Sequence, residues 1–427
     1  MKRTRRSKLA INGGTPVRKL PLPAIHNVDE REARAALRVI RRGPLSGFLG
    51  TWSPGFLGGK EVQAFEREFA SHFKVRHAVA CNSATTALHA AIAALEIGPG
   101  DEVIVPPFTM SASAACVLAN GAVPIFADLD PKTFCLDVDS VARCITSRTK
   151  AIMVVNLFGQ AADFMRLLPL AKKHKLKIIE DNAQSPGATW KGKFAGTIGD
   201  IGVFSLNIHK TIQTGEGGVL VTNNDRAALR AKLVRNHGES VIDGMSAYDA
   251  GPLFGSNYRM PEIIAAMARV QLKRLDTLTR KRRLLVQRLL KGLKHIKGIS
   301  APQVHPDNMH VFYRVALTVD ETVLGISRNR LAEAMTAEGF PMTKGYVKPL
   351  YLLPLFQERR AFNTTHFPFD YKRKMPRYNQ GLCPVAEHLA ESTLTLTDIC
   401  QHPNTTAHVD QFLRALTKII KHKNELV

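Results

Sequence analysis

The chain predicts an α/β architecture built on a mostly parallel sheet. Three observations carry that reading. Short β-branched or apolar runs at 78–80, 103–105, 123–127, 151–155 and 178–179 alternate with helical stretches, the pattern of successive βα units. The 45% apolar content with only 7% aromatic residues is ordinary for a globular α/β protein. At 427 residues the chain exceeds one ordinary core, so about 2–3 domains are expected. In order, an arm through residue 44 ends in the flexible string Arg41-Arg42-Gly43-Pro44-Leu45-Ser46-Gly47. A large domain follows over 45–272. A helical run over 271–293 then bridges into a smaller α+β domain that completes 273–427, with proline loops at Lys348-Pro349-Leu350 and Cys383-Pro384-Val385.

The most informative residue is Lys210, which lies midway between Ser205 and Gly215 in a strand-turn-glycine string closing on Gly215-Glu216-Gly217-Gly218. An amine in that setting suits a Schiff base with pyridoxal phosphate, whose ring stores carbanion electrons. Alone, a lysine beside a glycine turn is equally an ordinary surface feature. A second segment changes the balance. Residues 177–179 form a short apolar strand that delivers Glu180-Asp181-Asn182-Ala183-Gln184. Asp181 can face the pyridine nitrogen and keep it protonated, which that chemistry requires. By itself the acid pair would suit a helix cap or an ion pair; beside the lysine segment it reads as part of a site.

The string Cys81-Asn82-Ser83-Ala84-Thr85-Thr86 leads straight into an Ala-rich apolar helix. N–H groups at a helix start, together with Ser and Thr hydroxyls, make an anion site, although a plain Ser/Thr cap is the commoner use. These elements, with Gly98-Pro99-Gly100-Asp101-Glu102, Asn156-Leu157-Phe158-Gly159-Gln160 and Gly255-Ser256-Asn257-Tyr258-Arg259-Met260, stand in an order that resembles the DegT-type family of sugar and aminocyclitol aminotransferases.

The resemblance implies the fold type I architecture of pyridoxal phosphate enzymes, with 45–272 as the cofactor-binding domain. It implies that Lys210 forms the Schiff base and shuttles the proton, and that Asp181 pairs with the pyridinium nitrogen. Gln184 is placed near the ring hydroxyl, and Thr85 and Ser205 on the phosphate with the backbone at Ala84. Asn257 is expected to reach the phosphate of a neighbouring subunit, which makes the protein a homodimer with shared sites. Two positions depart from the pattern. Met110 stands where many members place an aromatic ring against the cofactor, and a thioether can still pack on a π face. Ala84 stands where glycine is frequent, so the backbone there approaches the phosphate without glycine's freedom. A related dehydratase branch has histidine in place of the lysine. Here the spacing falls on Lys210 and not on His209, so amino transfer is retained.

The implied reaction moves an amino group from glutamate or glutamine to a keto-sugar, with a nucleotide-linked sugar as the first reading. The alternative is an inosose-type cyclitol ketone, because the arm string Leu9-Ala10-Ile11-Asn12-Gly13-Gly14-Thr15-Pro16-Val17 looks like that branch. A third class, a nucleic-acid-binding regulator on an enzyme-derived fold, is suggested only by charge. Lysine and arginine number 59 against 36 acids, a formal net charge of +23. The clusters Lys2-Arg3-Thr4-Arg5-Arg6, Lys172-Lys173-His174-Lys175, Arg280-Lys281-Arg282-Arg283 and Lys372-Arg373-Lys374 are dispersed, and no nucleic-acid-binding signature accompanies them. Such a surface would steer an anionic substrate, with Lys344, Lys348 and Arg373 as candidates for a diphosphate. No signal peptide and no bilayer-spanning run is read. Six cysteines without Cys-x-x-Cys spacing point to free thiols in a reducing cytoplasm, and no metal site is indicated.

Overall fold

The computed structural model describes residues 7–241, 253–371 and 376–426. The basic clusters at 2–6 and 372–374, Arg373 included, lie outside the described residues. Among the described residues nine strands precede the bridging helix: β1 (His77–Cys81), β2 (Glu102–Val105), β3 (Val123–Phe126), β4 (Thr149–Val155), β5 (Lys177–Asp181), β6 (Thr189–Trp190), β7 (Lys193–Phe194), β8 (Ile201–Ser205) and β9 (Gly218–Thr222). Seven of them form the main sheet in the order β1-β9-β8-β5-β4-β2-β3. β2, β3, β8 and β9 are buried along their whole length or all but one residue, which is why they read as continuous apolar runs without alternation. Helices cover the faces; the Ala-rich helix Ala84–Ala94 and the helix Ala112–Ala119 pack into the central core with β1, β2, β4 and β5.

The parallel expectation holds for β8, β5, β4, β2 and β3, whereas β9 runs antiparallel to both β8 and β1. The connection from β8 to β9 explains the reversal. Leu206 and Gly217 hydrogen-bond, as do Ile208 and Gly215, so the chain turns back as a hairpin where a parallel return would need a crossover. Lys210 sits in that hairpin loop.

A second core is formed by the antiparallel sheet of β10 (Ile299–Ser300), β12 (Val315–Val319) and β13 (Leu394–Thr397), together with the helices Leu275–Leu293, Arg328–Ala337 and Thr406–Lys421. Between them β11 (Asn308–Met309) pairs with β6 of the β6–β7 hairpin, forming a separate three-stranded sheet that ties the two regions together. The bridging helix, expected from residue 271, begins at Leu275. The preceding helix Glu262–Leu272 ends first, and residues 273–274 separate the two.

The arm is anchored at both ends. Leu9 is fully buried in the second core, and Ser7 Oγ donates to Glu425. Further on, the helix Glu30–Arg42 starts at a capping box between Asp29 and Glu32 and packs Ala35 and Val39 on Ala266. The segment expected to be a flexible end is thus partly helical.

Candidate active site

The site grows from the carboxyl edge of β5 and β8. On β5 successive side chains point to opposite faces, which separates the roles of Glu180 and Asp181. Glu180 is fully buried and accepts from Asn156 Nδ2 at 2.9 Å and from the backbone N–H groups of Gly196, Ile198 and Gly199 at 2.6–2.7 Å. It therefore organises the loop after β7, although burial raises its pKa above the ordinary value. Asp181, on the other face, accepts from Ser113 Oγ at 2.7 Å and from Ala183 N at 3.1 Å. These two donors fix an acid that is 5% exposed.

Lys210 is half-buried, and its Nζ lies 4.8 Å from the centroid of the Tyr313 ring. Burial lowers the amine's pKa below the ordinary lysine value, and the negative charge of Asp181 opposes that shift. A lowered pKa raises the neutral fraction, the nucleophilic form. His209 beside it is exposed. The loop that carries the lysine needs glycine at Gly215, where φ is +82°. It is held from both sides. Asn27 of the arm donates to Thr211 O at 2.8 Å and accepts from Gln213 Nε2 at 3.1 Å. From the bridging helix, Arg282 donates to Thr211 Oγ1 at 2.9 Å and to Gln401 Oε1 at 3.1 Å. Among the described residues no carboxylate pairs with Arg282, and burial pulls its pKa down to about 10.

The anion end is built by register. Gly218 is opposite Cys81 on β1 and opposite Ser205 on β8, so both strand ends meet at one glycine. A Cβ at Gly218 would lie 2.4 Å from Ala84 N. Gly218 therefore lets β9 lie directly against the helix start at residues 83–84. Ser83 caps the helix by accepting from Thr86 N at 3.1 Å, and Thr85 is exposed at the helix start. Ser205 is 6% exposed, and its Oγ accepts from Asn207 N.

Other predicted positions are placed as follows. Gln184 Oε1 accepts from Phe158 N at 2.9 Å, and its Nε2 donates to Tyr346 Oη at 3.0 Å. Met110 is 62% exposed on the loop after β2, while Phe108 beside it is buried with its ring edge-on to Tyr346. Asn257 is exposed, and its backbone carbonyl accepts from Asn82 Nδ2 at 3.4 Å, adjacent to the Ser83 cap of its own chain. Of the diphosphate candidates, Lys348 is exposed and Lys344 is committed to Glu333 at 2.6 Å. Sequence reasoning missed Ser113, Tyr313, Tyr346, Asn27 and Arg282. Each acts across a long separation in sequence, and none stands in a string that sets it apart.

A half-buried amine of lowered pKa, a buried carboxylate and a helix start thus lie at one sheet edge of an α/β fold. The chain belongs to the DegT/DnrJ/EryC1/StrS aminotransferase family, whose profile matches residues 52–397, and it is an aminotransferase. It is 40% identical to GDP-perosamine synthase of Caulobacter vibrioides over 69% of this chain and 78% of that one. It is 36% identical to L-glutamine:2-deoxy-scyllo-inosose aminotransferase of Streptomyces kanamyceticus over 98% of each chain. Its fold is similar to the solved aminotransferase from Psychrobacter cryohalolentis, with a TM-score of 0.80, 32% identity and coverage of 94% of this chain and 99% of that one.

Proposed function

We propose that this aminotransferase holds pyridoxal phosphate against Lys210 and moves an amino group from glutamate or glutamine to a ketone of a polyhydroxylated ring, and that the ring is a cyclitol. The observation that carries the cofactor reading is the Lys210 amine, lowered in pKa and within the field of the fixed Asp181 carboxylate. The residues fit the group. Pyridoxal phosphate, when bound, supplies an electron-accepting ring and a carbonyl carbon. Asp181 would face the ring nitrogen, and Lys210 Nζ would bind covalently and then move the proton. Thr85, Ser205 and the Ala84 N–H would take the phosphate at the helix start that Gly218 packs against. Gln184 would border the ring and Met110 its outer face. Asn257, exposed on the rim, would reach the phosphate of a second copy, which makes the working form a homodimer.

The cyclitol reading is supported by the alignment with inosose aminotransferases over 98% of the chain, arm included. The nucleotide-linked reading is supported by the 40% identity to GDP-perosamine synthase, which stops at 69% of the chain. Its charge argument is weakened by the commitment of Lys344 to Glu333. The test is a half-reaction screen. Purified protein is mixed with glutamate or glutamine, the cofactor absorbance identifies the donor, and a cyclitol ketone and a nucleotide-linked keto-sugar are then offered as acceptors. Conversion of the cyclitol alone supports the proposal. Conversion of the nucleotide-linked sugar alone overturns the acceptor, and no absorbance change with either donor overturns the cofactor reading.

A further inference from the structure

The helix Leu275–Leu293 passes from one core to another along its length. Leu275 and Leu278 pack with Phe204, Leu206 and Ile212, which flank Lys210 in the chain. Leu285, Val286 and Leu289 pack in the second core. Arg282 stands between the two sets on the same inward face, at 5% exposure. Burial disfavours its charge, and Asp398, which favours it, is itself forked to Arg314 at 2.7 and 2.8 Å. Its Nε is buried with no hydrogen-bond partner among the described residues. A buried cation so poorly compensated adds little net stability, and an apolar side chain of similar volume commonly serves stability as well or better. The reason for an arginine lies in what the guanidinium holds.

It holds two regions at once. Nη1 donates to the hydroxyl of Thr211, the residue after Lys210, at 2.9 Å, and Nη2 donates to Gln401 Oε1 at 3.1 Å. Gln401 Nε2 donates in turn to the backbone carbonyl of Tyr313 at 2.6 Å, which fixes the orientation of the amide. The Tyr313 ring lies 4.8 Å from Lys210 Nζ. These contacts close a circuit that runs from the backbone beside the lysine, through the guanidinium, Gln401 and Tyr313, back to the lysine's own amine. A planar guanidinium presents its donors in a fixed fork, which a flexible ammonium does not.

We propose that Arg282 is the positioning residue for the Lys210 amine: by holding Thr211 and, through Gln401, Tyr313 in one fork, it sets where the amine stands. The effect on turnover rests on the reading that Lys210 carries the cofactor; the placing of the amine is a property of the chain itself. An amine that must bond to a carbon and then move a proton works within a narrow geometry, and a misplacement of about 1 Å costs about a hundredfold. Arg282 acts through Thr211 and Tyr313, not on the reacting atoms.

The experiment compares the parent with Arg282→Met, Arg282→Lys and Thr211→Val by two readouts. The first is competitive acetylation of the cofactor-free chain from neutral to alkaline pH, with Lys210 followed by peptide mapping. Burial disfavours the charge of this amine and Asp181 favours it, while the Tyr313 phenol is pushed up to about 12 by burial, and Arg282 adds a cation beyond Thr211. Opening the circuit admits water to the amine, so the Lys210 midpoint should rise toward the ordinary lysine value in Arg282→Met and in Arg282→Lys, which keeps the charge without the fork. Thr211→Val, which removes the acceptor alone, should show a smaller rise. The second readout is the kinetics of the cofactor-loaded enzyme, where kcat should fall about tenfold or more in both Arg282 variants with the donor KM little changed. Thr211→Val added to Arg282→Met should cost no more than Arg282→Met alone, because both break one contact. An unmoved Lys210 midpoint in the Arg282 variants, full kcat in Arg282→Lys, or additive losses in the double variant would overturn the proposal. Should Arg282→Met not fold, Thr211→Val alone decides: a parental midpoint and kcat there overturn it equally. Failure of the cofactor reading shows separately, as absence of a borohydride label on Lys210 in the parent while the acetylation midpoint still moves.

Discussion

Ser113 illustrates how the site works at the level of single side chains. Its hydroxyl holds Asp181 Oδ2 at 2.7 Å in a buried setting, and a hydrogen bond to a charged group contributes about 1.5–3 kcal/mol. Ser113→Ala is expected to lower kcat about tenfold or more while changing the donor KM little, because it frees the carboxylate without removing it. Asp181→Asn should fold and still take up pyridoxal phosphate, yet lose amino transfer; full activity in that variant would show that another group supports the ring. A second residue sets an acid limit on stability. His310 is buried, accepts from Phe312 N at 2.8 Å, and burial pushes its pKa from 6.5 down to about 3. Below pH 6.5 the unfolded chain takes a proton that the folded one refuses, so stability is lost as pH falls toward 3. The loss approaches about 1.4 kcal/mol per pH unit, or about 2 kcal/mol by pH 5. Urea unfolding at pH 7 and pH 5 should show this loss shrinking in His310→Asn, which keeps an acceptor. An equal loss in both proteins would place the acid sensitivity elsewhere.

Among the elements, the approach of β9 to the helix start is the feature most open to test. Gly218 is held in register on both sides, so a methyl group there, 2.4 Å from Ala84 N, must push the helix Ala84–Ala94 away from the sheet edge. Gly218→Ala is expected to weaken pyridoxal phosphate binding about tenfold or more, read by cofactor titration, with a smaller effect on the secondary structure seen by circular dichroism. Cofactor affinity equal to the parent would mean that the phosphate does not sit there. This element also shows what the sequence could and could not disclose. The βα alternation was legible because buried strands and Ala-rich helices differ in composition, and the ends of β5 at Asp181 and β8 at Ser205 were legible because apolar runs stop there, with Lys210 in the polar turn that follows. The reversal of β9 was not, since it follows from hairpin hydrogen bonds across residues 206–217. Nor was the close packing of Gly218 on Ala84, because the two lie on separate elements and only register brings them together. Arg282 and Asn27 were hidden for the same reason: an arginine in a basic run and an asparagine in an arm look solvated until the fold brings both to Thr211.

For the whole molecule, the arm, the large sheet and the second core converge on the loop that carries the lysine. The net charge of +23 then bears on substrate capture. Added salt should leave capture of an uncharged cyclitol ketone nearly unchanged and weaken that of a nucleotide-linked sugar, because screening shortens to about 10 Å at 0.1 M. Measuring kcat/KM for both acceptors at low and high salt checks this, and a steep salt dependence for the cyclitol would contradict it. Shared sites make a further demand. Inactive Lys210→Ala and inactive Asn257→Asp chains, mixed into verified hybrids, should regain activity in the one site that has both native residues, and silence in those hybrids would mean that Asn257 serves its own chain. The central claim, that Lys210 is the amine that carries the cofactor, is tested most directly by borohydride reduction of the purified protein followed by peptide mapping. The account predicts a pyridoxyl label on Lys210 and on no other lysine. A label on a different lysine, or a Lys210→Ala protein that still transfers amino groups at the parent rate, would contradict it.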